Sequence, residues 1–497
     1  MNTPTIANTT TQTPDLISPD MTGAIYLGTF QPAAGGKVSV IDKSSREVIF
    51  EGAAGNAADV ATAAMTAKAA QAAWAALPPT ARGDVLRKFA SLCERHIEEI
   101  SRWIVRETGS IPPKGPFEVM TSAREAIEIA GLTGQPVGHI LSSSLTRASY
   151  ARRVPLGVVG VITPWNAPFV LAARAVLPAL ATGNAVVLKP DLQTPVCGGY
   201  LIARLFELAG VPKGVLCVVP GGPEAGEALT LDPNVHMISF TGSTLAGRKV
   251  AENAGRTLKK VALELGGKNS TIVFEDADLD AVTSATAFGS FFHQGQICFS
   301  IGRHLVHESI ARTYAEKLAQ RARNLHVGDP GKGPVHLGPI INDKQAARVE
   351  RLVADSMAAG ARLSAGGKRD GLFFQPTVLE GVKPGMPLFR EETFGPVASI
   401  LTFRDEAEAI ALANDTEYGL VASIFTADQA RAMRVAAQLK TGIVHINDQT
   451  INHEVFAPIG GMGASGNGAR SGGPSIMDEY SQWQWITVNE KIPAYPF

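Results

Sequence analysis

The residue types best suited to covalent chemistry in this chain are a cysteine and a glutamate. Cys298 ends the segment 292–298 (FHQGQIC), and Glu264 begins the segment 264–268 (ELGGK). A cysteine that the fold brings near a carboxylate can act as a nucleophile beside a base. The alternative is that Cys298 is only a buried, small apolar side chain, as most free cysteines are, and composition alone favours that alternative.

Four turns that follow predicted strands carry residues suited to binding phosphate. They are 163–166 (TPWN), 189–190 (KP), 221–226 (GGPEAG) and 241–247 (TGSTLAG). Glycine lets a phosphate approach the backbone closely, and a helix N-terminus supplies free N–H donors. These turns could therefore hold a dinucleotide, or their glycines could only shape tight turns between strands and helices.

The elements that must position these residues alternate between apolar strands and helices. Strands are predicted at 156–162, 185–188, 215–219 and 237–240, with helices at 169–180 and 194–208. After Gly267 strands are predicted at 270–274, 304–307, 398–403, 421–425 and 442–446, with helices at 278–292 and 308–325. Such alternation predicts parallel sheets with crossover helices, which bind ligands at the carboxyl ends of their strands. The alanine-rich region 60–135 is predicted to be helical.

Length and charge limit the classes of protein. The chain has 497 residues, 45% of them hydrophobic, and can bury a large core across about three domains. The net charge is 45 − 46 = −1, which gives no electrostatic case for binding nucleic acid. The uncharged stretch 154–173 contains three prolines and fits a strand, a turn and a helix start better than a membrane span. We therefore expect neither a nucleic-acid partner nor a membrane.

The cysteines and the N-terminus indicate the compartment. The chain has four scattered cysteines and no C-x-x-C pair, which indicates reduced thiols and a cytoplasmic protein. Cys93, Cys197 and Cys217 are predicted to be core residues. No metal-ligand cluster is visible, so we expect no metal. Residues 1–21 lack the charged n-region of a secretory signal and are expected to form a disordered tail.

Five segments in a fixed order carry a resemblance to a known family. They are TPWN at 163–166, FTGST at 240–244, LELGGK at 263–268, GQIC at 295–298 and EETFGPV at 391–397. Together they resemble the aldehyde dehydrogenase superfamily, and the resemblance covers nearly the whole chain. It implies an α/β fold with a Rossmann-type cofactor-binding domain (22–135 and 155–266) and an α/β catalytic domain (267–466). It also implies a small β oligomerisation element (136–154 and 479–497).

The resemblance implies a role for each catalytic residue. Cys298 is expected to attack an aldehyde carbonyl and form a thiohemiacetal. The Asn166 side-chain amide and the Cys298 backbone N–H would stabilise the oxyanion, and hydride transfer to a nicotinamide would leave a thioester. Glu264 would activate the water that hydrolyses this thioester.

The cofactor expected from the resemblance is NAD or NADP. Lys189 is expected to hold the adenosine ribose, Ser243 the pyrophosphate and Glu392 the nicotinamide ribose, with Phe394 packing nearby. The other expected cofactor contacts are Thr163, Pro164, Trp165, Gly222, Gly226, Thr241, Gly242, Gly247 and Leu265. Lys189 could instead be a solvated charge at a strand end, and Phe394 could be only core packing. Many NAD-preferring relatives carry a glutamate where this chain has Leu192, so NADP stays open.

The expected substrate is an aromatic aldehyde. His293 and the segments 189–191 (KPD) and 445–450 (HINDQT) resemble the bacterial branch of benzaldehyde, vanillin and salicylaldehyde dehydrogenases. The residues expected to line the substrate pocket are Arg174, Ile297, Asn447, Asn452 and Ile459. Arg174 could meet a ring hydroxyl or carboxylate, or form a salt bridge to a neighbouring helix. Asn447 could shape the pocket or only cap a strand end, and Ile459, in place of an aromatic residue, could widen the tunnel.

Three other functions stay open at this point. The same chemistry could act on an aliphatic aldehyde, CoA rather than water could take the acyl group, or the chain could be a non-catalytic structural protein. Glu264 favours hydrolysis, because CoA-acylating relatives generally lack it. The presence of Cys298, Glu264, Asn166 and Lys189 together argues against a structural protein. The resemblance also implies a homodimer or homotetramer, in which a hairpin within 136–154 pairs with a partner's catalytic domain.

Overall fold

The computed structural model describes residues 15–497. In its first part, four short strands precede four helices. These are β1 (Ala24–Tyr26), β2 (Phe30–Pro32), β3 (Lys37–Ile41), β4 (Val48–Ala53), α1 (Ala57–Ala75), α2 (Pro79–Arg95), α3 (Ile97–Thr108) and α4 (Lys114–Leu132). This part confirms the predicted helical character of the region 60–135.

Strands then alternate with helices. The elements are β5 (Gly138–Ile140), β6 (Ala148–Pro155), β7 (Val158–Ile162), α5 (Pro168–Ala181), β8 (Ala185–Lys189), α6 (Leu201–Ala209), β9 (Leu216–Val218), α7 (Pro223–Leu231), β10 (Met237–Thr241), α8 (Thr244–Gly255) and β11 (Lys260–Glu264).

A second alternating series completes the chain. Its elements are β12 (Asn269–Val273), α9 (Leu279–Phe291), β13 (Ile301–His307), α10 (Ala311–Asn324), α11 (Asp343–Ala358), β14 (Arg362–Ala365), β15 (Arg369–Asp370), β16 (Phe373–Phe374), β17 (Thr377–Glu380), α12 (Pro387–Arg390), β18 (Val397–Phe403), α13 (Glu406–Asn414), β19 (Tyr418–Gly419), β20 (Val421–Phe425), α14 (Gln429–Ala436), β21 (Ile443–Ile446), β22 (Met462–Gly463), α15 (Ile476–Glu479) and β23 (Ser481–Val488).

The first sheet has seven strands in the order β11-β10-β7-β8-β9-β1-β2. The strands from β11 to β9 are parallel, and β1 runs antiparallel to both β9 and β2. In β8, Val186 and Leu188 join one core cluster, whereas Ala185 and Val187 join another. Because alternate residues of a strand face opposite sides, helices cover both faces of this sheet, which explains its unbroken apolar strands.

The second sheet also has seven strands, in the order β14-β17-β18-β13-β12-β20-β21. All neighbours are parallel except β14 and β17. Only residues 265–268 separate β11 of the first sheet from β12 of the second. This short connection places the end of β11 at the junction of the two sheets.

A third, antiparallel sheet has the order β23-β6-β5. Trp483 pairs with Arg153, and Ile140 pairs with Tyr150. Ile140 on the edge strand β5 is 85% exposed, and Trp485 on β23 is 65% exposed. The sheet therefore presents apolar side chains that residues 15–497 leave exposed.

The predicted strands and helices differ from the observed ones in a few places. The strand predicted at 421–425 is observed as β20, and the strand at 185–188 as β8 with one more residue. The helix predicted at 194–208 is interrupted, because Val196–Tyr200 forms a π-helical turn and α6 begins only at Leu201. The hairpin β3–β4, strand β11 and helix α11 have no counterpart among the predicted elements.

The N-terminal tail was expected to be disordered over residues 1–21, of which 1–14 lie outside the described residues. For residues 15–21 the expectation is wrong. Leu16 and Met21 are buried, and the Leu16 backbone N–H donates to Glu99 Oε1 at 2.8 Å. These contacts offset the entropy cost of ordering the segment, which its polar composition did not reveal.

Several expectations about the core can be compared directly. Cys93, Cys197 and Cys217 are buried, as predicted. The stretch 154–173 forms β7, a turn and the start of α5. Within residues 15–497, no helix has both the length and the apolar character needed to cross a membrane. The same residues contain no group of three or more His, Cys, Asp or Glu side chains placed to hold a metal ion.

Candidate active site

Cys298 follows a tight turn between α9 and β13. His293, Gln294 and Gly295 take left-handed conformations, with φ of 49°, 57° and 65°. A side chain at Gly295 would overlap neighbouring backbone, so the position requires glycine. Gln294 anchors the turn by donating from Nε2 to two backbone carbonyl oxygens, at 2.8 and 2.9 Å. The turn therefore fixes the backbone that leads into Cys298.

Two asparagines tie the cysteine segment to the two large sheets. Asn166, buried after β7, donates from Nδ2 to the Gln296 carbonyl oxygen at 2.9 Å. Asn269, at the start of β12, donates from Nδ2 to the carbonyl oxygens of Cys298 at 2.6 Å and of Ser300 at 2.8 Å. The structure thus brings the predicted Asn166 next to the predicted Cys298.

Glu264 is the last residue of β11, at the sheet junction. Its Oε1 is buried, and nothing in residues 15–497 donates a hydrogen bond to it. Burial raises the pKa of Glu264 to about 8, while the charges of Arg174 and Arg470 act in the opposite direction. A carboxyl group with this pKa can take up and release a proton close to neutral pH, as a general base must.

The Cys298 side chain is a protonated thiol in this state. Burial and the negative charges of Glu392 and Glu264 raise its pKa to about 12, and Arg174 opposes them. The thiolate is the nucleophilic form of cysteine, so a base must remove the proton as the sulfur attacks. The charges of Glu264 and Arg174 reach Cys298, and the predicted nucleophile and base therefore share one site.

A cleft of about 760 Å³ runs along the carboxyl ends of β7, β8 and β10. Lys189, which ends β8, is buried and donates from Nζ to the Gly221 carbonyl oxygen at 2.5 Å. Burial lowers its pKa, so the alternative of a solvated charge is wrong. Nine of the predicted cofactor residues line this cleft: Thr163, Pro164, Trp165, Lys189, Gly222, Gly226, Thr241, Gly242 and Ser243.

Helix α8 directs its N-terminus at the cleft. Ser243 is its N-cap, and the Ser243 hydroxyl accepts from the Ala246 N–H at 3.4 Å. A helix N-terminus with free N–H groups is a suitable site for a pyrophosphate. A Cβ on Gly222 or Gly226 would have its nearest contact at 3.8 or 3.7 Å, so the cleft has space at both backbones. The lining residues fit a dinucleotide.

Two of the remaining predicted cofactor residues pack against each other beside the cleft. A Cβ on Gly247, in α8, would overlap the Leu265 side chain. Leu265 is buried, and its N–H donates to the Ser465 carbonyl oxygen at 3.0 Å. This pair therefore fixes α8 against the loop that follows Glu264 and does not line the cleft.

Glu392 and Phe394 lie between the cleft and Cys298. Glu392 Oε1 accepts from the Gly267 N–H at 3.0 Å, and burial raises the pKa of Glu392 to about 7. Phe394 has a φ of 51° and packs edge-on against Trp165, with ring centroids 5.5 Å apart. Because Trp165 lines the cleft and Glu392 acts on the pKa of Cys298, these residues link the two regions.

Ile297 and Ile459 lie in one apolar cluster with Cys298. Ile459 is buried, and Ile297 is partly buried. The other members of the cluster are Phe292, Phe299, Leu420, Val421, Ile443 and Ile451. The structure therefore places these two predicted pocket residues in the apolar wall beside the thiol.

Arg174 forms the salt bridge that was one of its two alternatives. Its Nε and Nη2 donate to Glu125 Oε1 on α4, at 2.8 and 2.7 Å. Nη2 also lies 3.1 Å from His453 Nε2. Since the charge of Arg174 acts on both Glu264 and Cys298, Arg174 lies close to the reacting groups as well.

Asn447 holds the ends of two neighbouring strands together. Its Nδ2 donates to the Thr426 carbonyl oxygen and its Oδ1 accepts from the Thr426 N–H, both at 3.1 Å. These bonds join the carboxyl ends of β20 and β21. Asn447 therefore caps the strand ends, which is the second of its two alternatives.

Asn452 also lies apart from the apolar wall. It is exposed, and its Nδ2 donates to Asp448 Oδ2 at 2.8 Å. A polar side chain held by a neighbouring carboxylate in solvent does not join the cluster around Cys298. The structure thus gives no support to Asn452 as a pocket residue.

Sequence reasoning missed three residues of the site: Asn269, Glu125 and His453. Asn269 directly follows the segment 264–268, and this adjacency could have identified it. Glu125 lies on α4, and His453 lies in the loop after β21. No spacing in the sequence links these two to Arg174, because the packing of α4 on α5 brings Glu125 to it and the fold of the loop after β21 brings His453 to it.

The comparisons with known proteins agree with this geometry. The model of the aldehyde dehydrogenase family matches residues 30–486, and the chain belongs to this family. The resemblance inferred from the five ordered segments is confirmed.

The curated relatives include several enzymes named for aromatic substrates. Benzaldehyde dehydrogenase [NAD(+)] of Pseudomonas putida is 50% identical over 476 residues, covering 96% of this chain and 98% of that protein. Vanillin dehydrogenase of an Amycolatopsis species is 48% identical over 477 residues, again covering 96% and 98%. Among solved structures, betaine aldehyde dehydrogenase of Staphylococcus aureus in complex with NAD+ has a TM-score of 0.93 at 32% identity, covering 95% of this chain and 96% of that one. The aldehyde dehydrogenase fold is confirmed.

Proposed function

We propose that this protein oxidises aromatic aldehydes to carboxylic acids, with NAD or NADP as the electron acceptor. The observation that carries the proposal is the junction where Cys298, Asn166 and Glu264 meet beside a cleft that fits a dinucleotide. Thioester chemistry needs a nucleophile, an amide donor and a base in apolar surroundings. The relatives named for benzaldehyde and vanillin support the aromatic substrate.

The first half of the reaction forms a bond to Cys298. Sγ attacks the aldehyde carbon while Glu264 takes the thiol proton, and the carbonyl electron pair moves onto oxygen. The free Nδ2 hydrogen of Asn166 and the Cys298 backbone N–H donate to this oxyanion. Loss of one such donor costs about 10²–10³-fold in kcat in other enzymes.

The second half releases the acid. A nicotinamide held in the cleft would supply the hydride acceptor, and once the thiohemiacetal carbon has lost its hydride Cys298 carries a thioester. Glu264 releases its first proton to solvent and takes a second from water, whose oxygen attacks the thioester carbon. The carbon–sulfur bond breaks, Glu264 passes the proton it took from water to the departing sulfur, and Cys298 is again a thiol.

Lys189 and Ser243 of the cleft, together with Glu392 beside it, would hold the cofactor. Lys189 would hold the adenosine ribose, Ser243 and the α8 N-terminus the pyrophosphate, and Glu392 the nicotinamide ribose. Leu192 lies in the cleft with Lys189. A carboxylate there would repel a 2′-phosphate, whereas leucine does not, so we infer that NADP is accepted together with NAD.

Aromatic rings and Arg174 shape the substrate side. His453 meets Phe117 and Phe299 edge-on, with ring centroids 6.1 and 6.5 Å apart. Edge-to-face partners of this kind suit a flat aromatic ring. Within the described chain no hydrogen bond uses Nη1 of Arg174, so this group is available to an oxygen substituent on the ring.

The third sheet is the proposed oligomer contact. Ile140 and Trp485 are exposed on β5 and β23, and Trp483 is 48% exposed. The strand register places Ile140 and Tyr150 on one face of the sheet and Trp483 and Trp485 on the other. Exposed apolar side chains on a small sheet mark a protein contact surface. We infer that a second copy of the chain covers them.

Initial rates of nicotinamide reduction test the proposed function. Benzaldehyde, vanillin, salicylaldehyde and a short aliphatic aldehyde are compared, each with NAD and with NADP. We expect kcat/KM at least about tenfold higher for the aromatic aldehydes, which corresponds to about 1.4 kcal/mol of transition-state binding. A preference for the aliphatic aldehyde would contradict the aromatic substrate, and turnover that requires CoA would contradict hydrolysis. Cys298→Ser is expected to bind cofactor without turnover.

A further inference from the structure

We propose that Glu118 is a positioning residue for Asn166. Its carboxylate caps the N-terminus of α5 and thereby sets the Asn166 amide against the segment that carries Cys298. This inference rests on the proposed function, in which Asn166 donates to the oxyanion.

The start of α5 has no cap of its own. Its N-cap is Ala167 and its first residue is Pro168, so no local side chain accepts a hydrogen bond from the first turn. The first N–H groups of a helix have no partner within the helix, and here they are buried. Glu118 Oε2 accepts from the N–H groups of Phe169 and Val170, at 3.1 and 3.3 Å. The carboxylate of Glu118, distant in sequence, therefore caps the N-terminus of α5 in place of a local side chain.

The second oxygen of Glu118 is also held. Lys114, one turn earlier on α4, forms an ion pair with Oε1, and both side chains are buried. A buried carboxylate is tolerated only when it is paired and hydrogen-bonded, and Glu118 meets both conditions. Because each oxygen has its own partners, the side chain is confined to one position. Its negative charge at a helix N-terminus is favourable as well.

The position of Asn166 depends on this cap. Asn166 immediately precedes the N-cap residue Ala167, and its Nδ2 donates to the Gln296 carbonyl oxygen at 2.9 Å. Strand β7 fixes the loop on one side, and the capped helix fixes it on the other. Without the cap the first turn of α5 is free to shift, and a misplacement of about 1 Å at a reacting group can cost about 100-fold in rate.

The chain contains a matched control for this arrangement. Glu107, at the end of α3, accepts from the N–H groups of Val196 and Cys197 at 2.9 and 2.7 Å. Glu107 is as fully buried as Glu118. It caps the helical segment before α6, which carries no residue of the oxyanion site. Its loss is expected to cost stability with no coupling to Asn166.

The test is a double-mutant cycle on kcat/KM for benzaldehyde. The variant Lys114→Met with Glu118→Leu removes the cap without leaving a buried charge. Lys114→Met with Glu118→Gln also removes the charges but keeps an amide oxygen for the cap. We expect kcat/KM to fall about 10- to 100-fold in the Leu variant and less than about threefold in the Gln variant. When Asn166 is already alanine, we expect either variant to lower kcat/KM by less than about twofold.

Controls separate this coupling from a general loss of structure. Alkylation of Cys298 by iodoacetamide needs no oxyanion donor, so its rate is expected to stay unchanged in both variants. Glu107→Leu is expected to change kcat/KM by the same factor whether position 166 is asparagine or alanine. If the Leu variant does not fold, Glu118→Asp keeps the charge but shortens the reach, and its loss too is expected to vanish in the Asn166→Ala background.

Equal losses for the Leu variant in both backgrounds, or no loss at all, would overturn the proposal. Unchanged kcat/KM for Asn166→Ala alone would instead remove the oxyanion role on which the proposed function rests. The two failures are therefore distinguishable.

Discussion

Burial controls the protonation of the reacting side chains. It raises the pKa of Glu264 to about 8 and, together with the charges of Glu392 and Glu264, raises that of Cys298 to about 12. At neutral pH the site holds a thiol and a carboxyl group that is mostly protonated. Both half-reactions in the proposed mechanism need Glu264 as a carboxylate, so its titration should control the rate.

The pH dependence of kcat/KM follows from this requirement. A base works only when deprotonated, and the pKa of Glu264 is raised, so activity should rise with pH through about 8 and fall below it. Steady-state rates across this range measure the effect. Glu264→Gln is expected to lose the rising limb together with most turnover, whereas Glu316→Gln on the exposed face of α10 should keep both. A profile that is flat or falls between neutral pH and pH 8 would contradict the assignment of Glu264.

The family resemblance carried by five ordered segments was enough to predict the reacting groups but not every pocket residue. Cys298, Glu264 and Asn166 lie in distinctive segments, and the structure brings all three together. Asn447 follows a strand, and an asparagine at such a position can either cap the strand or line a pocket. The sequence does not show at which end of the sheet the Cys298 thiol lies, so it does not decide between the two. The capping role follows only from its two hydrogen bonds to Thr426.

At the scale of elements, the loop between β11 and β12 holds the site together. The Gly267 N–H donates to Glu392, and a Cβ on Gly266 would overlap the Glu392 carboxylate. The loop thus packs so closely on Glu392 that it excludes a side chain. Glu392 can keep its position only if Gly266 stays glycine.

Gly266→Ala should therefore disturb cofactor binding more than folding. The new methyl group displaces the Glu392 side chain and breaks its bond to Gly267. We expect kcat/KM for the nicotinamide cofactor to fall at least about tenfold, or about 1.4 kcal/mol, with little change in melting temperature. Gly255→Ala at the end of α8, where a Cβ meets nothing within 4 Å, is the matched control. Equal effects of the two substitutions would contradict this packing argument.

Apolar runs predicted nine of the fourteen strands of the two large sheets and missed β1, β2, β11, β14 and β17. Tertiary contacts explain where a continuous helical pattern was interrupted. The π-helical turn Val196–Tyr200 lies inside a continuous helical pattern. The Glu107 carboxylate reaches its first N–H groups from α3, across a sequence separation that no local pattern reveals. Glu118 caps α5 in the same way, so two helical segments of this chain are capped by a glutamate that is distant in sequence.

At the scale of the whole molecule, the active site lies where the two large sheets meet, and the third sheet projects apolar side chains. Ile140 on the edge strand β5 is 85% exposed, more than any other large hydrophobic residue of the third sheet. The sequence resemblance predicted an oligomer contact in this region. The partner and its stoichiometry are not encoded in any local pattern, because they depend on a second chain.

Ile140→Lys should lower the oligomeric state. A charge placed in an apolar contact must be desolvated, which costs several kcal/mol per ion when it is unpaired, on the order of the binding energy of a small interface. Sedimentation velocity compares this variant with Met433→Lys, which changes an exposed residue on α14. A smaller species for Ile140→Lys alone is expected. Identical sedimentation of both variants and the unmodified protein would rule out β5 as part of the contact.

The most direct test of the account is to capture the acyl group on the cysteine. The unmodified protein is mixed with benzaldehyde and NAD, stopped with acid at successive times within a single turnover, digested, and analysed by mass spectrometry. We expect NADH and, at the earliest times, a benzoyl group on Cys298, because the thioester forms before water releases the acid. NADH formed with no acyl group on Cys298, or an acyl group found on another residue, would contradict it.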